Sequence, residues 1–468
     1  MDDFKLLING ALVEGDATVE VINPATEEVL AQAPAASAAQ MDSAVGAAKA
    51  AFPAWAAQPI EARRKALLSI ADVVEANTDA LARLLTLEQG KPLSQAVAEI
   101  GGTVAYFRYF ATLDLPVEIL EEDDTHRVEA HRLPIGVIGA IVPWNFPLAL
   151  MAFKVPPALL AGNTVVLKPA ATTPLSTLAF GRLIADVVPP GVVNVISDNN
   201  DLGGHLTAHP DVAKISFTGS TATGAKVMAG AADLIKRITL ELGGNDAGIV
   251  LDDVDVKTVA PQLFAAAFGN SGQICIAMKR LYIHEAVYDA LCDELVRLAE
   301  EAVVGDGLQQ GTEFGPIQNR MQFRKVKALI EEARTQGRVV AGGTTVGEKG
   351  FFLRPTIVRD IEDGTSLVDE EQFGPVLPLI RFADESDALN RANASPYGLG
   401  GSVWSGNVDR AYALAKRMEA GTVWVNKHLD LAPQIPFGGI KSSGLGTELG
   451  EAGLHEYTQL KVINIALA

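Results

Sequence analysis

Two cysteines occur in the 468 residues, Cys275 and Cys292. Cys275 ends a Gly272-Gln-Ile-Cys275 stretch that follows the small, turn-prone Phe268-Gly-Asn-Ser271. A thiol in that position is the chain's strongest candidate for a covalent nucleophile. Glu241 stands at the end of an apolar run, in Leu240-Glu-Leu-Gly-Gly244, where glycines permit close backbone approach and a carboxylate could take up a proton. Asn145, between Trp144 and Phe146, could offer an amide donor to an oxygen in apolar surroundings. Taken singly, each residue also admits a structural role: a buried thiol, a capping or salt-bridged glutamate, a satisfied loop asparagine.

These residues need a frame that can bring distant segments together. Residues 63–74 and 79–87 carry apolar positions three and four apart, which predicts helices with a break at 75–78. From Ile135 the period changes. Short apolar strand candidates at 135–142, 164–167, 192–196, 214–217 and 237–240 alternate with helix-like segments at 149–160, 176–187 and 221–232. Such alternation predicts an α/β fold of parallel, doubly wound units. A second α/β domain is expected from residue 243, with a strand at 247–250, a helix at 256–268, Cys275, and strand and loop signals near Phe373 and Trp424. The nucleophile would then face a cleft between the two.

The chain is long enough for two or three structural units, and no tandem repeat or low-complexity block interrupts it. Its formal charge of -19 should repel phosphate backbones and anionic membranes, and no motif supports nucleic-acid binding. Residues 136–153 form an uncharged run, but Pro143, Asn145 and Pro147 interrupt it and Lys154 ends it, so a strand, a loop and a helix are expected there rather than a membrane span. The start at Met1, Asp2 and Asp3 lacks the basic and apolar character of an export signal, and so few cysteines argue against a disulfide scaffold; a cytoplasmic location is expected. His428 and His455 sit in no convincing metal-ligand pattern, and no metal is expected.

Together the segments resemble the aldehyde dehydrogenase superfamily, over nearly the whole chain. The resemblance is carried by Pro143-Trp-Asn-Phe-Pro147, Phe217-Thr-Gly-Ser-Thr221 with Gly224, Glu241-Leu-Gly-Gly244, Gly272-Gln-Ile-Cys275, Glu371-Gln-Phe-Gly-Pro375, and Pro436-Phe-Gly-Gly439 with Lys441. Their order and separation make the joint match specific. It implies an NAD(P)-dependent enzyme of the non-acylating type that oxidises an aldehyde to a carboxylic acid. It also implies a modified Rossmann nucleotide domain (1–112 and 136–242), a catalytic domain (243–442) and a small β oligomerisation element (113–135 and 443–468). Cys275 would form a thiohemiacetal, with Asn145 and the Cys275 backbone N–H stabilising its oxygen. After hydride transfer to the nicotinamide, a water activated by Glu241 would hydrolyse the thioester, with Lys154 and Glu448 in supporting roles.

No Gly-x-Gly-x-x-Gly fingerprint follows the first strand. The resemblance instead implies cofactor contacts at Trp144, Phe217, Gly219, Ser220 and Gly224, at Leu242 and Gly243, and at Glu371 and Phe373 beside the nicotinamide ribose and ring. Lys168 matches the adenosine-ribose position. Many NAD-preferring members of the family carry a glutamate three residues later, where this chain has Ala171, so NAD, NADP or both are expected. Leu150, Phe153, Ile274, Ile276 and Leu431 would line an apolar channel for an aliphatic or aromatic aldehyde, with His428, Asp430 and Gln434 as further polar selectors. No arginine lies in 426–434 to favour a semialdehyde acid, although one from elsewhere could supply that charge. Segments near 123–132 and 460–465 imply a homodimer or homotetramer. Transfer of the acyl group to coenzyme A, a semialdehyde substrate and a catalytically silent binding protein are the competing readings; Glu241 favours hydrolysis.

Overall fold

The apolar runs of the first half become one eight-stranded sheet. A computed structural model describes residues 3–467; Met1 and Asp2, on which the expectation about the start of the chain partly rests, lie outside the described residues. The sheet runs Gly444–Leu445, Arg237–Glu241, Val212–Thr218, Val137–Ile141, Thr164–Lys168, Val193–Val195, Leu6–Ile8, Ala11–Val13. The five strands from Arg237–Glu241 to Val193–Val195 are parallel. All five residues of Val137–Ile141 and of Thr164–Lys168 are buried, as near-continuous Val/Ile/Leu strands covered on both faces should be.

Helices cover this sheet. Ala38–Ala56 begins with a reciprocal capping box between Ser37 and Gln40. Ile60–Ala76 and Thr78–Gln89 are the two helices expected from the apolar spacing, and the break narrows to Asn77. Thr78–Gln89 stops at Gly90, whose φ of 98° suits a residue without a side chain, and Pro92 then starts the helix Leu93–Phe110. The helix expected at 149–160 is split into Pro147–Ala152 and Val155–Leu160, because Pro156 and Pro157 can open a helix but not continue one. The uncharged run at 136–153 is a strand, a loop and a short helix, and no helix among the described residues is long and apolar enough to cross a membrane.

Cys275 belongs with a second sheet of seven strands: Arg338–Ala341, Thr356–Arg359, Val376–Phe382, Met278–His284, Asp246–Val250, Gly400–Trp404 and Thr422–Val425. Only Arg338–Ala341, at one edge, is antiparallel. The long strand Thr458–Ala466 pairs over its whole length with His126–Pro134, and Glu118–Glu122 completes a separate three-stranded sheet. The last part of the chain is shared: Gly444–Leu445 sits on the first sheet's edge before Thr458–Ala466 joins the small one.

Candidate active site

Cys275 is delivered by a strained turn. After the helix Val256–Phe268, Asn270, Ser271 and Gly272 have φ values of 48°, 54° and 71°. Asparagine and glycine tolerate this left-handed region; Ser271 does so at a cost of about 1–3 kcal/mol. Its hydroxyl compensates by donating to the Gly315 carbonyl at 2.7 Å. A side chain at Gly272 would run into the Gly374 carbonyl, so the loop can lie this close to Phe373–Gly374 only with glycine there. Lys279 clasps the two loops, donating to the Gly272 carbonyl at 2.6 Å and the Gly374 carbonyl at 3.0 Å. Burial lowers its pKa to about 7, against the pull of Glu371 and Asp246.

Asn145 reaches the same turn from the first sheet. Its Nδ2 donates to the Gln273 carbonyl at 3.0 Å, two residues before the sulfur. The Asn145 carbonyl accepts from Lys91 Nζ at 2.9 Å and from Asn270 Nδ2 at 3.2 Å. Lys91 in turn meets Glu99 at 2.5 Å, both side chains fully buried, and lies 3.6 Å above the Phe146 ring. Glu99 also accepts the Leu148 and Ala149 amides at 3.1 and 3.2 Å, where a carboxylate complements the start of a helix. Lys91 and Glu99 thus fix the Asn145 loop from below, and nothing in their local sequence announced it. Lys91→Met leaves Glu99 buried without its cation, so a loss of about 3–5 kcal/mol is expected in denaturant unfolding, with a fall in turnover.

Glu241 ends its strand with the side chain buried, and neither oxygen has a hydrogen-bond partner that meets ordinary geometry among the described residues. Burial holds its pKa well above the usual carboxylate range, and the charge of Glu448 adds to this; Lys154 and the nearby Gly439 amide oppose it. Lys154 and Glu448 form a fully buried pair at 2.5 Å, and Lys154 also donates to Thr218 at 2.7 Å. Desolvation likewise pushes the Cys275 thiol up, reinforced by the charges of Asp246, Glu241 and Glu371.

The side chains of Asp246 and His428 are buried beside the segment that carries Cys275. His428 contacts Ser402 Oγ at 2.9 Å and the Ile276 carbonyl at 2.7 Å, and burial lowers its pKa to about 4. Asp246 accepts the Gly400 amide at 3.1 Å, its other oxygen faces His428 Nε2 at 3.7 Å without a hydrogen bond among the described residues, and burial raises its pKa to about 8. A carboxyl pKa raised above its unfolded value means the folded state binds the extra proton. That group's contribution is therefore most favourable below about pH 4 and declines as pH rises toward 8. Asp246→Asn should accordingly raise the melting temperature more at pH 8.5 than at pH 5, as read by scanning calorimetry.

The expected cofactor residues fall into two groups. Near the cysteine, the Trp144 and Phe373 rings meet edge to face at 5.3 Å, and Glu371 accepts the Gly244 amide at 3.0 Å. A Cβ on Gly243 would lie 2.6 Å from Glu371, and one on Gly224 would strike Leu242. Phe217 and Gly219 lead into the helix Thr221–Ala232, capped by Ser220, which accepts the Thr223 amide at 3.3 Å. The remaining first-turn amides have no partner within the helix and suit an anion. Lys168 and Ala171 form the second group, at the carboxyl end of Thr164–Lys168. Leu150, Phe153 and Ile276 are buried, with Ile274, Leu431 and Cys275 half-buried against the same apolar cluster. The Tyr106 ring, not anticipated, packs edge to face on Phe153 at 4.7 Å. Among the described residues no group of three or more His, Cys, Asp or Glu is placed to hold a metal ion.

A thiol, a side-chain amide and a buried carboxyl group gathered beside a parallel α/β sheet make a site suited to carbonyl chemistry. The sequence model of the aldehyde dehydrogenase family matches residues 12–463, and the chain belongs to that family. It is similar to phenylacetaldehyde dehydrogenase of Pseudomonas fluorescens, 40% identical over 99% of this chain and 96% of the relative. The NAD+ complex of a Bacillus cereus aldehyde dehydrogenase superposes with a TM-score of 0.97 at 37% identity, covering 100% of this chain and 97% of that one. An NADP-dependent enzyme of E. coli does so with a TM-score of 0.95 at 38% identity, covering 99% and 98%. The chain is thus an NAD(P)-dependent enzyme that oxidises aldehydes to acids.

Proposed function

We propose that Cys275 carries the acyl group as a thioester and that water, activated by Glu241, releases it. The observation that carries this is the arrangement of three groups around one turn: Asn145 Nδ2 bonded 3.0 Å from the Gln273 carbonyl, the Cys275 thiol beyond it, and the Glu241 carboxylate with no well-aligned hydrogen bond among the described residues. Cys275 Sγ adds to the aldehyde carbon as its proton leaves to a base. The second N–H of Asn145 and the Cys275 amide take the oxyanion. A bound NAD(P) would supply the hydride acceptor needed to convert the adduct to the thioester. Glu241 then takes a proton from water as it attacks the acyl carbon, and the Cys275 sulfur departs. The Lys154–Glu448 pair sets the charge around Glu241.

The residues present fit such a cofactor. The open first turn after Ser220 suits a pyrophosphate, Glu371 and its neighbour Gly243 leave room for a ribose, and the Trp144–Phe373 ring pair offers a wall to the nicotinamide. The apolar wall of Leu150, Phe153, Ile274, Ile276 and Leu431 favours an aliphatic or aromatic aldehyde, as the phenylacetaldehyde enzyme's name suggests for that relative. Exposed Ile119, Leu120, Leu460 and Val462 on the three-stranded sheet support a homodimer or homotetramer. Two unpaired cysteines suit the reducing cytoplasm. Residues 1–112 and 136–242 would bind the nucleotide, 243–442 would carry catalysis, and 113–135 with 443–468 would serve assembly.

A matrix of aliphatic, aromatic and carboxylated aldehydes against NAD and NADP tests this, reading reduced cofactor and released acid together. Equal amounts of both products, without coenzyme A, are expected. A strict requirement for coenzyme A with an acyl-CoA product would overturn hydrolysis.

A further inference from the structure

In open parallel sheets a ligand lies outside the carboxyl ends of the strands, where the strand order reverses. Here the order reverses at Val137–Ile141: the chain steps outward through Thr164–Lys168 and Val193–Val195, then returns to lay Val212–Thr218 on the other side. In ordinary dinucleotide domains an acid near the end of the second strand takes the ribose hydroxyls, and a cation there accommodates the 2′-phosphate of NADP. This second strand ends in Lys168, and Ala171 beyond it offers no polar group. By sequence alone the cation stands unopposed.

The structure supplies its opponent from the neighbouring strand. Asp198, just past Val193–Val195, places Oδ1 2.7 Å from Lys168 Nζ, and the two side chains are 0% and 4% exposed. Oδ2 accepts the Asp201 and Leu202 amides at 3.0 and 2.8 Å, which locks the carboxylate in place. Among the described residues Oδ1 holds no well-aligned hydrogen bond in addition to the ion contact. Solvent does not screen so enclosed a pair. Lys168 keeps the slight exposure, so a ribose would meet its ammonium, which still has N–H donors to give to hydroxyls. A 2′-phosphate would meet a cation already neutralised and a fixed negative charge behind it.

Resting on the NAD(P)-binding reading above, we propose that Asp198 sets cofactor choice: by neutralising Lys168 it makes this protein favour NAD and reject the 2′-phosphate of NADP. Asp198 acts through Lys168, as a positioning and charge-setting residue rather than a catalytic one. The role that Ala171 cannot fill is thereby supplied from a different strand.

Calorimetric titration of NAD and of NADP into the full-length protein, without aldehyde, tests this. Unaltered protein should bind NAD at least about tenfold more tightly than NADP, equivalent to about 1.4 kcal/mol. Asp198→Asn should tighten NADP at least about tenfold and leave NAD within about threefold. Adding Lys168→Met to that variant should remove the gain. Asp198→Ser, which keeps an acceptor for the Asp201 and Leu202 amides without the charge, provides the same comparison if the asparagine variant does not fold. A merely structural role would weaken both cofactors alike, and that result would overturn the proposal, as would equal binding or an NADP preference in the unaltered protein. Failure of the unaltered, folded protein to bind either cofactor would overturn the NAD(P) reading as well, so the two failures are distinguishable.

Discussion

Cys275→Ala is expected to abolish aldehyde-dependent reduction of cofactor, lowering turnover by about 10⁴-fold or more, the scale on which loss of a covalent nucleophile acts. Without sulfur no thiohemiacetal forms, and an aldehyde held only by Asn145 has no tetrahedral carbon from which hydride can leave. Cofactor titration should change little, because the substitution alters none of the groups proposed to hold the cofactor. Rapid mixing with hydroxylamine as a trap checks this. A trapped acyl group from the alanine variant would remove Cys275 from the role of nucleophile. Cys292, buried in the core of the second sheet, gives no substitute thiol.

Glu241→Gln is expected to separate the two halves of the reaction. One equivalent of reduced cofactor per site should still appear in a burst, while steady-state release of acid falls by about 10²–10⁴-fold, the usual weight of a positioned general base. The unaltered protein should show deacylation rising with pH, because the raised pKa of Glu241 leaves the carboxyl protonated, and unable to accept a proton, at the acid end. That rising limb should be absent from the glutamine variant. A normal steady state in this variant would assign hydrolysis to another base.

Much of this was legible in the chain. The change of apolar period at Ile135 announced the parallel strands, and the helices Thr221–Ala232 and Val256–Phe268 lie where the spacing put them. Boundaries moved where local chemistry overrides periodicity, as at Pro156 and Pro157. Cys275, Glu241 and Asn145 stand out as candidates because the motifs that hold them, taken together, carry the resemblance. The residues that support them do not stand out. Lys91, with Glu99, and Lys279 reach the Asn145 and Gly374 loops from segments distant in sequence, as Asp198 reaches Lys168, and a lone lysine or aspartate carries no local sign that it will be buried against an opposite charge. The clearest example is Lys168, which reads as an unpaired cation until the fold brings Asp198 to it.

The turn that carries Cys275 also stitches the two large sheets together. Asn145 holds Gln273 from one side, while the Gln273 side chain accepts the Gln318 amide at 2.8 Å and Gln318 reaches across to the Glu88 and Thr172 carbonyls at 3.1 Å each. Heat that loosens either sheet must therefore dismantle the turn as well. Inactivation and melting should coincide along one temperature axis, and a half-unfolded chain would no longer aim its sulfur at any carbonyl.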